Sequence, residues 1–115
     1  MSWPPQIEEP LPRAADCWYE RVKFEGWILA PRGHGEEWRK VLHVGVDDVE
    51  VVSAAISAAV ALAPVSAVID NGEHGINCRV DMDLVIGERS APVRTVWHYA
   101  DPESAPRLVS AYPRL

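Results

Sequence analysis

Polar and apolar residues alternate most cleanly between Ile76 and Ile86. Ile76, Cys78, Val80, Met82, Leu84 and Ile86 fall on one side, and Asn77, Arg79, Asp81 and Asp83 on the other. A period of two predicts a strand with one face on a core and the other in water. Residues 65–69 form a shorter apolar strand that ends in the turn cluster Asp70, Asn71 and Gly72. Beyond the long strand, 87–92 reads as a turn, 93–99 as a third strand, 101–106 as another turn and 107–112 as a fourth strand.

The period changes to that of a helix upstream. Val49, Val52, Ile56, Val60 and Ala63 form one apolar stripe that Pro64 closes, and Asp47 with Glu50 three residues on predicts a capping box. A shorter helix is expected after the loop Arg32, Gly33, His34, Gly35. Glu36 and Glu37 open it and Arg39 and Lys40 lie towards its end, the order a helix dipole favours, with Gly45 as a stop. Residues 22–30 fit a strand, or a helical turn leading into one, and Pro31 favours extended backbone at 27–30. Residues 1–13 hold four of the ten prolines and read as an extended arm whose Trp3, Ile7 and Leu11 can dock. The expected architecture is α+β: one or two helices packed on a four-stranded antiparallel β-sheet in a single domain, 14–115, behind the arm 1–13.

Composition fits a small globular domain: 115 residues, 48% hydrophobic and 24% charged, enough for one core. The net charge of −6 argues against a broad nucleic-acid clamp. It is uneven. From 21 to 45 five basic residues face three acidic ones, a local +2 that leaves −8 elsewhere, so this segment is where an anionic ligand is electrostatically reasonable; its plain alternative is a solvated helix face. Cys17 and Cys78 sit among apolar residues and read as buried thiols. The N-terminus has no basic region followed by an apolar run, and 49–64 is too short and too broken to span a bilayer, so a cytoplasmic location is expected.

Among His34, His43, His74 and His98 no spacing matches a metal motif. His34 stands out because the flanking glycines of its loop allow a ligand to approach. His43 is expected to pack against the sheet, His74 to decorate a turn, and His98 to share the wet face with Arg94. Asp81 and Asp83 share a strand face where they can hold a divalent cation or, the preferred reading, join an ion-pair ladder with Arg79 and Arg94. There is no phosphate-cradling glycine loop followed by Lys and Ser or Thr, and no nucleophile elbow.

Two stretches together resemble an uncharacterised bacterial domain family. The first is Lys23, Phe24, Glu25, Gly26, Trp27, Ile28, Leu29, then His34, Gly35 and Lys40; the second is Thr95, Val96, Trp97, then Pro106, Arg107, Leu108, Val109, Ser110, Ala111, Tyr112, Pro113. The family reads Lys-Leu-x-x-Tyr-Leu-Leu, His-Gly and Lys, closing with Thr-Val-Trp and Pro-Arg-Leu-Val-Thr-Ala-Tyr-Pro; the likeness covers about 11–113. Trp27 stands in place of the usual Tyr, and Ser110 in place of Thr. Such domains look like the barnase, EndoU, colicin and RelE group of small ribonuclease folds, often toxins. The resemblance implies sites at Lys23, His34, Lys40, Thr95, Trp97 and Arg107.

Metal-independent RNA cleavage needs a base for the 2′-hydroxyl, a cation at the phosphate and an acid for the leaving oxygen. In that scheme His34 serves as base or acid, Lys23, Lys40 or Arg107 stabilises the phosphate, Thr95 or Ser110 positions it, and Trp97 stacks on a base. The competing reading makes Trp97, Leu108, Val109 and Tyr112 core residues and Arg107 the partner of a nearby carboxylate. At the level of function, the expectation is a toxin-type ribonuclease that meets RNA at a local basic site, with no cofactor, DNA or membrane partner. The alternative is a non-catalytic interaction module, a homodimer or a partner of another protein, using a sheet edge or the proline-rich arm.

Overall fold

The computed structural model describes residues 3–114. Four strands, β1 (Val65–Asp70), β2 (Ile76–Ile86), β3 (Arg89–Tyr99) and β4 (Arg107–Pro113), form an antiparallel sheet in sequential order. Three helical segments precede it: α1 (Arg21–Lys23), which continues as a π-helical turn over Phe24–Ile28, α2 (Gly35–Leu42) and α3 (Val49–Val60). The fold is α+β, with the helices on one face of the sheet.

The alternation along β2 and β3 builds the core. Cys78, Val80 and Leu84 from β2 and Val93, Thr95, Trp97 and Tyr99 from β3 are buried against Val49, Val52, Ile56 and Val60 of α3. Burial pushes the Cys78 thiol up to about 11, so it packs as a small apolar group. Cys17 is only half-buried, its thiol 3.6 Å from Ser57 Oγ. The arm is part of the same packing. Leu11 is buried, the Tyr99 hydroxyl donates to the Pro12 carbonyl at 2.5 Å, and Trp3 lies edge-on to Tyr99, whereas Ile7 is exposed.

Several local expectations change. Residues 27–30 are not extended: Phe24 and Ile28 are both buried in the π-helical turn, and burying that pair outweighs the bias set by Pro31. Ahead of α3 the cap is Asp48 rather than Asp47, its carboxylate accepting from Gly45 N at 2.8 Å across a short 3₁₀ turn, Val46–Asp48. His43 does not pack on the sheet; it is exposed at the end of α2 with φ 56°, its N–H bonded to the Arg39 carbonyl. The turn after β2 is only Gly87 and Glu88, with Gly87 at φ 63°. Pro92 therefore lies inside β3. Its backbone faces the β4 side beyond the end of that strand, where its carbonyl accepts from Arg114 N at 2.8 Å, so the missing N–H breaks no ladder.

The outer edge of β4 is covered. Trp18 N donates to the Pro106 carbonyl and Leu108 N to the Trp18 carbonyl, and the buried Trp38 of α2 donates Nε1–H to the Ala111 carbonyl at 3.1 Å. Among the described residues no helix is long and apolar enough to cross a membrane.

Candidate functional site

The sheet face turned away from the helices carries the polar side chains, and register arranges them in cross-strand rows. Asn77 pairs with His98 and His98 with Arg107, making one row over β2, β3 and β4. Arg79, Val96 and Ser110 form the next row, and Asp81, Arg94 and Tyr112 the third.

His98 Nδ1 lies 2.7 Å from Asn77 Oδ1, an acceptor, so Nδ1 carries the proton and Nε2 keeps its lone pair. Burial first, and the Arg107 charge second, hold the imidazole below its ordinary pKa and therefore neutral near pH 7. Gly75, at φ 91°, packs its backbone against this ring: a Cβ there would sit 3.0 Å from His98 Cε1 and 2.2 Å from the Tyr99 carbonyl oxygen. Arg107 Nη1 pairs with Glu20 at 3.2 Å, and its guanidinium lies 6.0 Å from the centre of the Trp18 ring. Trp18, His98, Ala100, Ser104, Ala105 and Arg107 line a depression of about 240 Å³.

Of the four residues expected to form an ion-pair ladder, Asp81 and Arg94 pair in the third row, while Arg79 lies in the second row and neither it nor Asp83 has an ion pair among the described residues. Arg94 holds Asp81 through Nε at 2.9 Å and Nη2 at 3.2 Å, and Arg114 adds a contact at 3.3 Å. Arg94 holds the Asp81 carboxyl below its usual range, and Asp81 in turn raises the guanidinium.

The residues expected from sequence divide into groups. Arg107 is on the polar face, in the first row. Lys23 lines a second depression of about 380 Å³ with Glu20, Val22, Gly26, Trp27 and Arg32. Because Glu20 also pairs with Arg107, the two depressions adjoin. His34 is one residue group away, stacked on Tyr112 at 4.7 Å and edge-on to Trp27 at 5.7 Å, with Nδ1 3.9 Å from Glu37 Oε2, a buried oxygen without a hydrogen bond. The glycines beside it serve packing rather than ligand approach: a Cβ at Gly33 would meet the Trp27 carbonyl at 2.0 Å, and one at Gly35 the Leu29 carbonyl at 2.4 Å. Ser110 is half-buried beside Val96 in the second row. Lys40 is exposed on α2 and lines neither depression.

Thr95 and Trp97 belong to the core, not to a ligand surface. Thr95 is fully buried and Trp97 only 2% exposed, so the indole has no free face on which a base can stack. Both point away from the polar row because β3 alternates, and they bond to one another instead. The residues that sequence reasoning left out of the site are Asn77, His98 and Trp18, which share its depression or its hydrogen bonds.

The molecule is thus an α+β domain with a histidine, an amide and an arginine aligned across the half-buried polar face of its sheet. It belongs to the family described as Domain of unknown function (DUF6883), which it matches over residues 11–115. No curated protein and no solved structure matches it significantly.

Proposed function

We propose that the Asn77–His98–Arg107 row cleaves single RNA phosphodiester bonds by acid–base chemistry. Arg107 and Trp18 hold the phosphate and a neighbouring base. His98 Nε2 takes the proton of the 2′-hydroxyl, whose oxygen attacks phosphorus. The bond from phosphorus to the 5′-oxygen breaks, that oxygen takes a proton from water, and the hydroxide so formed takes the proton back from His98, leaving a 2′,3′-cyclic phosphate and a 5′-hydroxyl end. The observation that carries this reading is the 2.7 Å contact between His98 Nδ1 and the acceptor Asn77 Oδ1, which suits the tautomer protonated at Nδ1 and leaves Nε2 as the base. Resemblance of the two sequence stretches to ribonuclease-type domains points the same way. Compared with the sequence-based assignment, Arg107 keeps its role, His98 replaces His34 as base, and Lys23 moves to the flank.

The test is incubation of the full chain with end-labelled mixed-sequence RNA in EDTA, with product ends identified. Cleavage to cyclic phosphates, reduced about 100-fold or more by His98→Ala or Arg107→Ala, is expected. Intact RNA, or cleavage unchanged in both variants, overturns the proposal.

A second reading, the non-catalytic interaction module, has its own observation. Among the described residues the outer edge of β1 is bonded at Val65, where Glu8 N and the Glu9 carbonyl reach it, and 66–70 offers a strand edge to another chain. Light scattering after size exclusion tests it. A dimer that Val68→Pro converts to monomer supports pairing at β1, and a monomer at high concentration removes the homodimer.

A further inference from the structure

The geometry points to a second subsite: the depression lined by Glu20, Val22, Lys23, Gly26, Trp27 and Arg32 binds the nucleotide next to the reacting one, so the substrate is an unpaired RNA segment. This rests on the reading of the His98 row as an RNA site and adds the class of RNA it takes.

Continuity comes first. Glu20 lines this depression and pairs with Arg107, so a chain held at Arg107 is one residue away from it. Charge comes second. Arg13, Arg21, Arg94, Arg107 and Arg114 each pair with a carboxylate; among the described residues Lys23, Arg32, Arg39, Lys40, Arg79 and Arg89 have no carboxylate within 4.0 Å, and of these Lys23 and Arg32 line this depression. Arg32 is fixed nonetheless: its Nε donates to the Gly26 carbonyl at 2.9 Å, which leaves both terminal nitrogens for a phosphate. In a chain of net charge −6, two cations without a carboxylate partner, beside a depression whose Glu20 is already engaged by Arg107, form a local anion site.

The third observation selects a nucleotide over a simple anion. Trp27 is 44% exposed and lines the depression beside the cations, and its ring contact among the described residues is edge-on to His34, so its indole is accessible there. Trp18, 47% exposed, stands beside Arg107 in the adjoining depression. Two exposed indoles flanking alternate cations suit successive bases stacked on aromatic platforms with the backbone between them. A base in a duplex is already stacked on its neighbours and cannot lie on either ring. Single-stranded RNA of at least two or three nucleotides fits this surface; a duplex does not.

The experiment uses dye-labelled 2′-O-methyl oligoribonucleotides, which bind but cannot be cleaved through the 2′-oxygen, and reads anisotropy with the full chain. A hexamer is expected to bind about tenfold tighter than a single 2′-O-methyl nucleotide. Trp27→Ala, and separately Lys23→Ala with Arg32→Ala, should each weaken hexamer binding by about tenfold and leave the single nucleotide unchanged. The salt dependence of hexamer binding should flatten by roughly 0.7 per cation removed. The inference is overturned if the hexamer does not bind, if the variants bind it as the parent does, if a hairpin duplex binds equally well, or if a hexaglutamate peptide displaces it at equal concentration. The two readings fail separately. Length-dependent binding without cleavage of ordinary RNA overturns only the reaction, and cleavage with unaltered binding in the variants overturns only this subsite.

Discussion

The Trp97 indole donates its Nε1–H to Thr95 Oγ1 at 2.8 Å, and that hydroxyl donates its own O–H to the Val80 carbonyl at 2.8 Å. The indole can only donate, so Thr95 is what allows so large a polar-tipped ring to sit in the core. Thr95→Val keeps the shape but leaves a buried N–H without an acceptor. It should cost about 1–3 kcal/mol, read from urea unfolding, and Thr95→Ser should recover part of this. Equal stability of the valine variant would show that the bond contributes nothing.

Gly75 couples the fold to the site. An alanine Cβ there meets a backbone oxygen at 2.2 Å, and the φ of 91° is one that alanine adopts only with strain. Gly75→Ala should destabilise the chain by roughly 1–3 kcal/mol and push the His98 ring off Asn77. Loss of the slowly exchanging His98 Nδ1–H signal in proton spectra is the direct check. An unchanged signal would mean that the backbone at Gly75 does not hold the ring.

Asp81 makes acid stability measurable. Its carboxyl is depressed by Arg94, so between its ordinary value of 3.8 and its lower folded value the unfolded chain binds more protons than the folded one. The stabilisation is complete above 3.8 and is lost as the pH falls through the folded value. Asp81→Asn should flatten the fall in stability below pH 4 while lowering stability at pH 7. Parallel curves for the two proteins would contradict the role assigned to the Arg94 and Arg114 pairs.

Alternation exposed most of the sheet. The buried faces of β2 and the stripe Val49, Val52, Ile56, Val60 are as their periods imply, since each is fixed by one element meeting one core. The site was harder to see because it depends on register. A turn over 87–92 places no particular residue opposite His98, whereas the two-residue loop at Gly87 puts Asn77 there, within hydrogen-bond distance of the imidazole. The closing motif showed the opposite problem. Thr95, Trp97 and Arg107 form one sequence signature, yet alternation along β3 sends the first two into the core, and only Arg107 reaches the polar face. Trp18 carried no local signal at all: it reaches the site through backbone bonds to Pro106 and Leu108, almost ninety positions away.

The pH dependence of the His98 row follows from its surroundings. Burial and the Arg107 charge both disfavour the imidazolium, so His98 is neutral and able to accept a proton down to below pH 6.5. The acid limb of kcat/KM for RNA cleavage should therefore lie below 6.5. Arg107→Gln removes the repelling charge, and the limb should move upward even as the rate falls. Stability has the same sign. The unfolded histidine takes up a proton near 6.5 and the folded one only at lower pH, so the His98 contribution is complete above 6.5 and is lost as the pH falls through the folded value. Titration of the His98 Cε1 proton by NMR measures the folded value whether or not RNA is cleaved. A value at or above 6.5, or one that stays put when Arg107 is neutralised, would remove His98 as the base.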